Sequence, residues 1–345
     1  MTQRPILWFL ILTGAGGPVA CSSKAPEQAL QIISNVAQGT TYTIKWWGAP
    51  DVEPAAFAGA VQNELVRIDE LLSNFRDDSA IEHFNAARTV EPQSLPEEIV
   101  GLLQIAATVH EESAGCFDPT VRPLARLWGF DTDTPGVPDA AAVAAVLQHV
   151  GFGKLEIVDA QRVRKTDPDV EVDLSGIGQG YTVAQLSRIA TEHGIENYLV
   201  EIGGELAARG HKADAEPWRV GIEHPSAASR DIQRVLVLPA ERLTAVMTSG
   251  TYRHFFEDNG QIYSHILDPL TGRPVRHDLL SVTVLHSDPT LAGAWSTALL
   301  CLGPDRARAA ADREGLVALL LIRAGESIEE WRSASLIENW PGVIE

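Results

Sequence analysis

Chemistry on a polar substrate needs carboxylates, hydroxyls and close-approaching backbone, and four stretches of this 345-residue sequence concentrate them. The first runs Gly115-Cys116-Phe117-Asp118-Pro119-Thr120 and continues to Leu127-Trp128-Gly129-Phe130. In the second, Asp173-Leu174-Ser175-Gly176-Ile177-Gly178-Gln179-Gly180, an apolar run meets a helical one. Glycines at such a junction let backbone approach a ligand, and a helix N-terminus favours an anion. The third is Ile202-Gly203-Gly204-Glu205. The fourth joins Thr248-Ser249-Gly250-Thr251 to Ser264-His265-Ile266-Leu267-Asp268-Pro269-Leu270-Thr271-Gly272. Asp118 is the carboxylate best suited to orient or deprotonate an incoming hydroxyl. Each stretch taken singly also reads as an ordinary turn, and His265 reads as a satisfied strand histidine.

Periodicity supplies the elements that must position these groups. Thr41–Trp47 alternates as a strand, and Pro54 opens a helix with Phe57, Val61, Leu65, Ile68 and Leu72 on one face. Helices are expected over Pro96–Glu112, Asp139–Val150 and Leu291–Leu302. Strands are expected at Val170–Leu174, Asn197–Ile202, Trp218–Glu223, Ile232–Leu238, Thr244–Met247, Tyr263–Leu267, Leu280–Leu285 and Leu316–Ile322. Long helices and many strands without regular βαβ alternation predict an α+β fold, a single large domain of helices packed on a mixed or antiparallel sheet.

Composition narrows the partners. Hydrophobic residues make up 45% and charged residues 21%, the balance of a globular chain, and the formal net charge is −19. That field repels nucleic acid and anionic lipid, so no nucleic-acid partner is expected. Arg4, the apolar run Ile6–Leu12 and small residues ending at Ala20-Cys21 suit an export signal, and the Ala-Cys step resembles a bacterial lipoprotein cleavage box. The expected layout is a signal over 1–21 with a lipid anchor at Cys21, a tether over 22–37 and one domain over 38–345. The protein is expected at the periplasmic face of a bacterial membrane. Cys116 and Cys301 remain, either paired or as two buried thiols. No CxxC or HExxH spacing supports zinc.

The order of these blocks resembles the FAD:protein FMN transferase (ApbE) family from about Gln38 to Gly303. The quoted motifs are Gln38-Gly39-Thr40-Thr41-Tyr42, Leu72-Ser73-Asn74-Phe75 through Phe84-Asn85, and the four stretches above. The resemblance implies cleavage of the FAD pyrophosphate and transfer of FMN to a Thr or Ser hydroxyl of a periplasmic acceptor protein, with release of AMP. It implies FAD contacts from Gln38, Phe75, Cys116, Phe117, Asp118, Asp173, Gln179 and Leu267. Gln179 stands where relatives often carry Lys. The resemblance also implies Mg²⁺, held by the Gly176 carbonyl and by an Asp and a Thr on the late helix. Here Thr297 is present with Ser296 beside it, but Gly293 occupies the Asp position; Asp288 and Asp118 are the nearby acids considered as substitutes. That departure keeps two alternatives open: a FAD-binding protein with a degenerate metal site and little catalysis, and a FAD pyrophosphatase giving free FMN and AMP.

Overall fold

A computed structural model describes residues 29–132, 134–226 and 231–345. Its centre is an eight-stranded sheet whose neighbours all pair antiparallel. In chain order these strands are β1 (Gln31–Ala37), β2 (Thr40–Trp47), β3 (Asn197–Ile202), β4 (Glu205–Arg209), β5 (Thr244–Gly250), β6 (Leu279–His286), β7 (Val317–Ala324) and β8 (Ser327–Arg332). The order across the sheet follows the order along the chain.

Four helices matter for the site: α1 (Pro54–Leu72), α2 (Glu97–Glu112), α3 (Ser175–Glu192) and α4 (Pro289–Leu302). The α1 stripe Phe57, Val61, Leu65 and Ile68 is fully buried, as its spacing predicts. On this face of the sheet the helices pack against Ile44, Val200, Met247, Val282 and Val284. The other face buries Leu199, Val246, Leu285 and Leu319 under the hairpin of Arg219–Glu223 with Ile232–Val237 and the C-terminal segment. Burial on both faces explains why Leu279–His286 is an apolar run without alternation. The fold is the expected single α+β domain.

Three expectations need correction. The tether expected over 22–37 contains β1, which pairs residue by residue with β2, Ile33 opposite Ile44. Gln38 (φ 51) and Gly39 (φ 72) form the tight turn between them, so the domain begins before Gln38. Val170–Leu174 lies in no sheet. The backbone of Val172 is taken up by side-chain amides: Asn74 and Asn85 donate to its carbonyl, and its N–H donates to Asn85 Oδ1. Tyr263–Leu267 divides into two short hairpin arms, Gln261–Ser264 and Leu267–Asp268. The signal over 1–21, Cys21 and the start of the tether lie outside the described residues. Among the described residues no helix is long and apolar enough to cross a membrane.

Candidate active site

The site is built where α3 and α4 meet the end of β5. These helices touch backbone to backbone: a Cβ on Gly180 would lie 2.3 Å from the Pro289 carbonyl oxygen. Only a glycine permits that approach. Asp288 starts α4 by accepting from the Thr290 and Leu291 N–H groups through one oxygen, which accounts for this acid as a helix cap.

One turn back on α3 and about two turns on along α4, Thr297 Oγ1 donates to the Gly176 carbonyl at 3.4 Å. Ser249 Oγ, arriving on β5, lies 2.9 Å from Ser296 Oγ and 3.3 Å from Thr297 Oγ1. Ser296 in turn donates to the Gly293 carbonyl at 2.9 Å. The result is a cluster of three hydroxyls and a carbonyl at the first turn of α3. At Gly293 the space is open: an added Cβ would meet Gly180 Cα at 3.6 Å and the Gly176 carbonyl at 3.8 Å, ordinary contacts. Position 293 therefore has room for a side chain beside this cluster.

Phe117 closes one wall. Its ring comes within 3.2 Å of where a Gly176 Cβ would stand. The loop carrying it is joined to α3 by the Asp173 N–H, which donates to the Pro119 carbonyl at 2.7 Å. One Asp173 oxygen accepts from the Ser175 N–H. The opposite wall comes from the β1–β2 turn. Gln38 Oε1 accepts from Thr182 Oγ1 at 3.1 Å, and Gln179 Nε2 and Thr40 both crowd Gly203. Phe75 follows Asn74, which is fastened to Val172 beside Asp173, and its ring is 83% exposed. A large aromatic left that open is available for stacking on a flat ligand.

Two expected residues lie elsewhere. Asp118 is no open base. Oδ1 accepts from the Thr120 N–H and Oγ1, Oδ2 accepts from the Phe152 N–H, and the side chain is 2% exposed. It fastens the loop, as a buried carboxylate with every bond satisfied should. Leu267 puts its side chain into an apolar cluster with Leu124, Trp128, Val143 and Val150. Cys116 is bonded to Cys301 in a disulfide, with Cα atoms 5.6 Å apart, which settles the pairing left open above.

The structure adds residues that motif reading passed over. Ser249 belongs to the hydroxyl cluster, although its block was quoted only as a motif. Glu205 bends to accept from the Thr248 N–H at 3.0 Å, and enclosure of its carboxyl raises its pKa to about 8. His265 holds Nδ1 3.0 Å from the His254 carbonyl, so Nδ1 carries the proton and Nε2 the lone pair. Burial, with His254 stacked alongside, lowers its pKa to about 4. The signal for His265 was its place in the Ser-His-Ile-Leu-Asp-Pro run; a histidine inside a strand pattern carries no chemical mark of its own.

Mg²⁺ favours hard oxygen donors with one or two carboxylates. The cluster offers the Gly176 carbonyl and the Ser249, Ser296 and Thr297 hydroxyls, hard oxygens but all neutral, so the negative charge the ion needs would have to come from phosphate oxygens. Among the described residues the one His/Asp grouping with ligand spacing, His149, Asp167 and Asp169, is elsewhere and is answered by Lys154 and Arg88. A groove of about 660 Å³ beside α2, lined by Leu102, Ile105, Tyr181 and Asp288, shares no residue with the cluster.

Comparison with known proteins fixes the lineage. Residues 38–320 match the ApbE family. The chain is 33% identical over 324 residues to the FAD:protein FMN transferase of Klebsiella pneumoniae, covering 92% of each. It is 35% identical over 325 residues to that of Salmonella typhimurium, covering 90% of this chain and 91% of the relative. The solved flavin transferase ApbE from Vibrio cholerae superposes with a TM-score of 0.83 at 32% identity, covering 90% of this chain and 99% of that one. The apo flavinyl transferase ApbE of Pseudomonas stutzeri gives 0.82 at 34% identity, covering 90% and 96%. The chain belongs to the ApbE family.

Proposed function

We propose that this protein is a FAD:protein FMN transferase. The observation that carries the reading is the convergence of Gly176, Ser249, Ser296 and Thr297 beside Phe117, in a chain whose relatives bear that name over nine-tenths of its length. In the reaction the hydroxyl oxygen of an acceptor Ser or Thr attacks the phosphorus of the FMN half of FAD. The P–O bond to the AMP half breaks, AMP leaves, and the hydroxyl proton passes to a base. Asp118 is saturated and Glu205 holds its proton at neutral pH, which leaves the unprotonated Nε2 of His265 as the base of this proposal. Phe75 and Phe117 suit the flavin.

Gly176, Ser296 and Thr297 would hold Mg²⁺ together with substrate phosphate oxygens, and the ion would neutralise charge developing on the pyrophosphate. Gln179 contributes a neutral donor in place of a cation. An extracytoplasmic address, with the signal over 1–21, a lipid anchor at Cys21 and a periplasmic acceptor, is part of the same proposal. The Cys116–Cys301 bond supports it, because disulfides persist in oxidising compartments.

Gly293 favours a second reading, a FAD binder with little catalysis. Incubating the purified protein with FAD, Mg²⁺ and an extract of exported proteins from the same organism tests both. Covalent flavin fluorescence on an acceptor after denaturing electrophoresis, with stoichiometric AMP, is the expected result. FAD binding without AMP supports the second reading, and AMP with free FMN supports pyrophosphatase activity.

A further inference from the structure

The Cys116–Cys301 disulfide joins the two halves of the site. Cys116 immediately precedes Phe117, whose ring packs on Gly176. Cys301 follows Thr297 by one helical turn on α4, so both project from the same side of that helix. Phe117, Gly176 and Thr297 therefore form a closed triangle, with the sulfur bridge as the covalent link between the loop and α4.

The hydrogen bonds of the loop do not make that link. The Gly115 N–H donates to the His110 carbonyl, the Cys116 N–H to the Ser113 carbonyl and the Phe117 N–H to Ser113 Oγ. His110 Nδ1 donates to the Phe117 carbonyl, and Asp118 is bonded to Thr120 and Phe152. All of these tie the loop to α2 and to the segments that follow it. Among the described residues, the hydrogen bonds of residues 115–118 leave α4 untouched. Meanwhile α4 carries glycine at 293, so no side chain reaches from that position toward α3.

We propose that Cys116 and Cys301 are a positioning pair for the FAD site: their bond holds Phe117 and the α4 hydroxyls at a fixed separation across Gly176. The inference rests on the FAD-site reading above. Reduction by dithiothreitol supplies two electrons and two protons, gives two thiols and leaves the reagent as a cyclic disulfide. The loop then keeps its bonds to α2 but loses its covalent hold on α4, and FAD must order Phe117 on binding.

The test is FAD affinity by flavin fluorescence at 25 °C, measured on the oxidised full chain, the reduced chain and a Cys116→Ala, Cys301→Ala pair, with circular dichroism confirming the fold. We expect folded disulfide-free protein to bind FAD about tenfold more weakly, the order set by ordering one or two side chains on binding. Reoxidation of the reduced chain with oxidised glutathione should restore the affinity. If the alanine pair fails to fold, Cys116→Ser with Cys301→Val preserves volume and takes its place. Unchanged affinity in folded disulfide-free protein overturns the inference, and so does unfolding of both pairs, because the bond would then hold the fold and not the site. Failure of the oxidised wild type to bind FAD is a different result: it overturns the FAD-site reading itself.

Discussion

Introducing a carboxylate at position 293 probes the cluster most directly. The Cβ of Gly293→Asp falls 3.6 Å from Gly180 Cα and 3.8 Å from the Gly176 carbonyl, so the side chain enters without displacing backbone. Replacing a mid-helix glycine also recovers a few tenths of a kcal/mol of helix propensity. A carboxylate about 4 Å from a divalent cation gains about 8 kcal/mol at an effective dielectric near 20. Desolvation of the carboxylate and of the ion at this buried position removes most of that, leaving about 2–3 kcal/mol, or roughly 30- to 150-fold in Mg²⁺ affinity. The assay is AMP release from FAD over a Mg²⁺ titration, wild type against variant. The half-saturating Mg²⁺ concentration should fall by that factor. Without metal the variant should melt lower than wild type, since its carboxylate then faces the Gly176 carbonyl unpaired, and Mg²⁺ should reverse the loss. A folded variant with an unchanged Mg²⁺ requirement refutes the argument that this cluster is the metal site.

Other perturbations follow from the same geometry. Asp118→Ala should lower stability by about 3 kcal/mol by orphaning three buried donors, read by denaturant titration; a loss of turnover at unchanged stability would instead make it catalytic. Phe75→Ala should weaken FAD binding by on the order of tenfold at an unchanged melting temperature, because its ring packs on little else. Glu205 keeps its proton in the folded state up to about pH 8 but ionises near 4.3 when unfolded, so its contribution to stability falls as pH rises through that window. Glu205→Gln should flatten that slope in a melting-temperature series. His265 works in the opposite sense: folded it stays neutral down to about pH 4, unfolded it protonates near 6.5. Its contribution is complete above about pH 6.5 and lost as pH falls, and His265→Ala should remove both that acid sensitivity and acceptor flavinylation.

Regular elements with one strong period were legible in the sequence. The α1 stripe, Thr41–Trp47 and Leu280–Leu285 stand within a residue or two of their expected bounds. Illegible were places where side chains do the work of backbone. Val170–Leu174 has the composition of a strand, yet Asn85 takes both polar groups of Val172, a contact between residues far apart in sequence. The site divides in the same way. Gly176, Ser296 and Thr297 could be named because they sit in contiguous blocks. The burial of the Asp118 carboxylate depends on Phe152, which no local pattern announces. The tautomer of His265 likewise depends on a carbonyl eleven residues away.

The agreement between strand order and chain order has a consequence for how the protein is made. No strand has to be inserted between two that have already paired, so the sheet can grow at a single edge as each new strand leaves the ribosome or a translocation channel. The β1–β2 hairpin must wait for everything between Trp47 and Asn197 before its first neighbour arrives. From β3 onward each strand docks on the one already in place. The hydroxyl cluster draws on α3, β5 and α4, so it is completed only when α4 arrives late in that succession, with its first and last components separated by more than a hundred residues of synthesis.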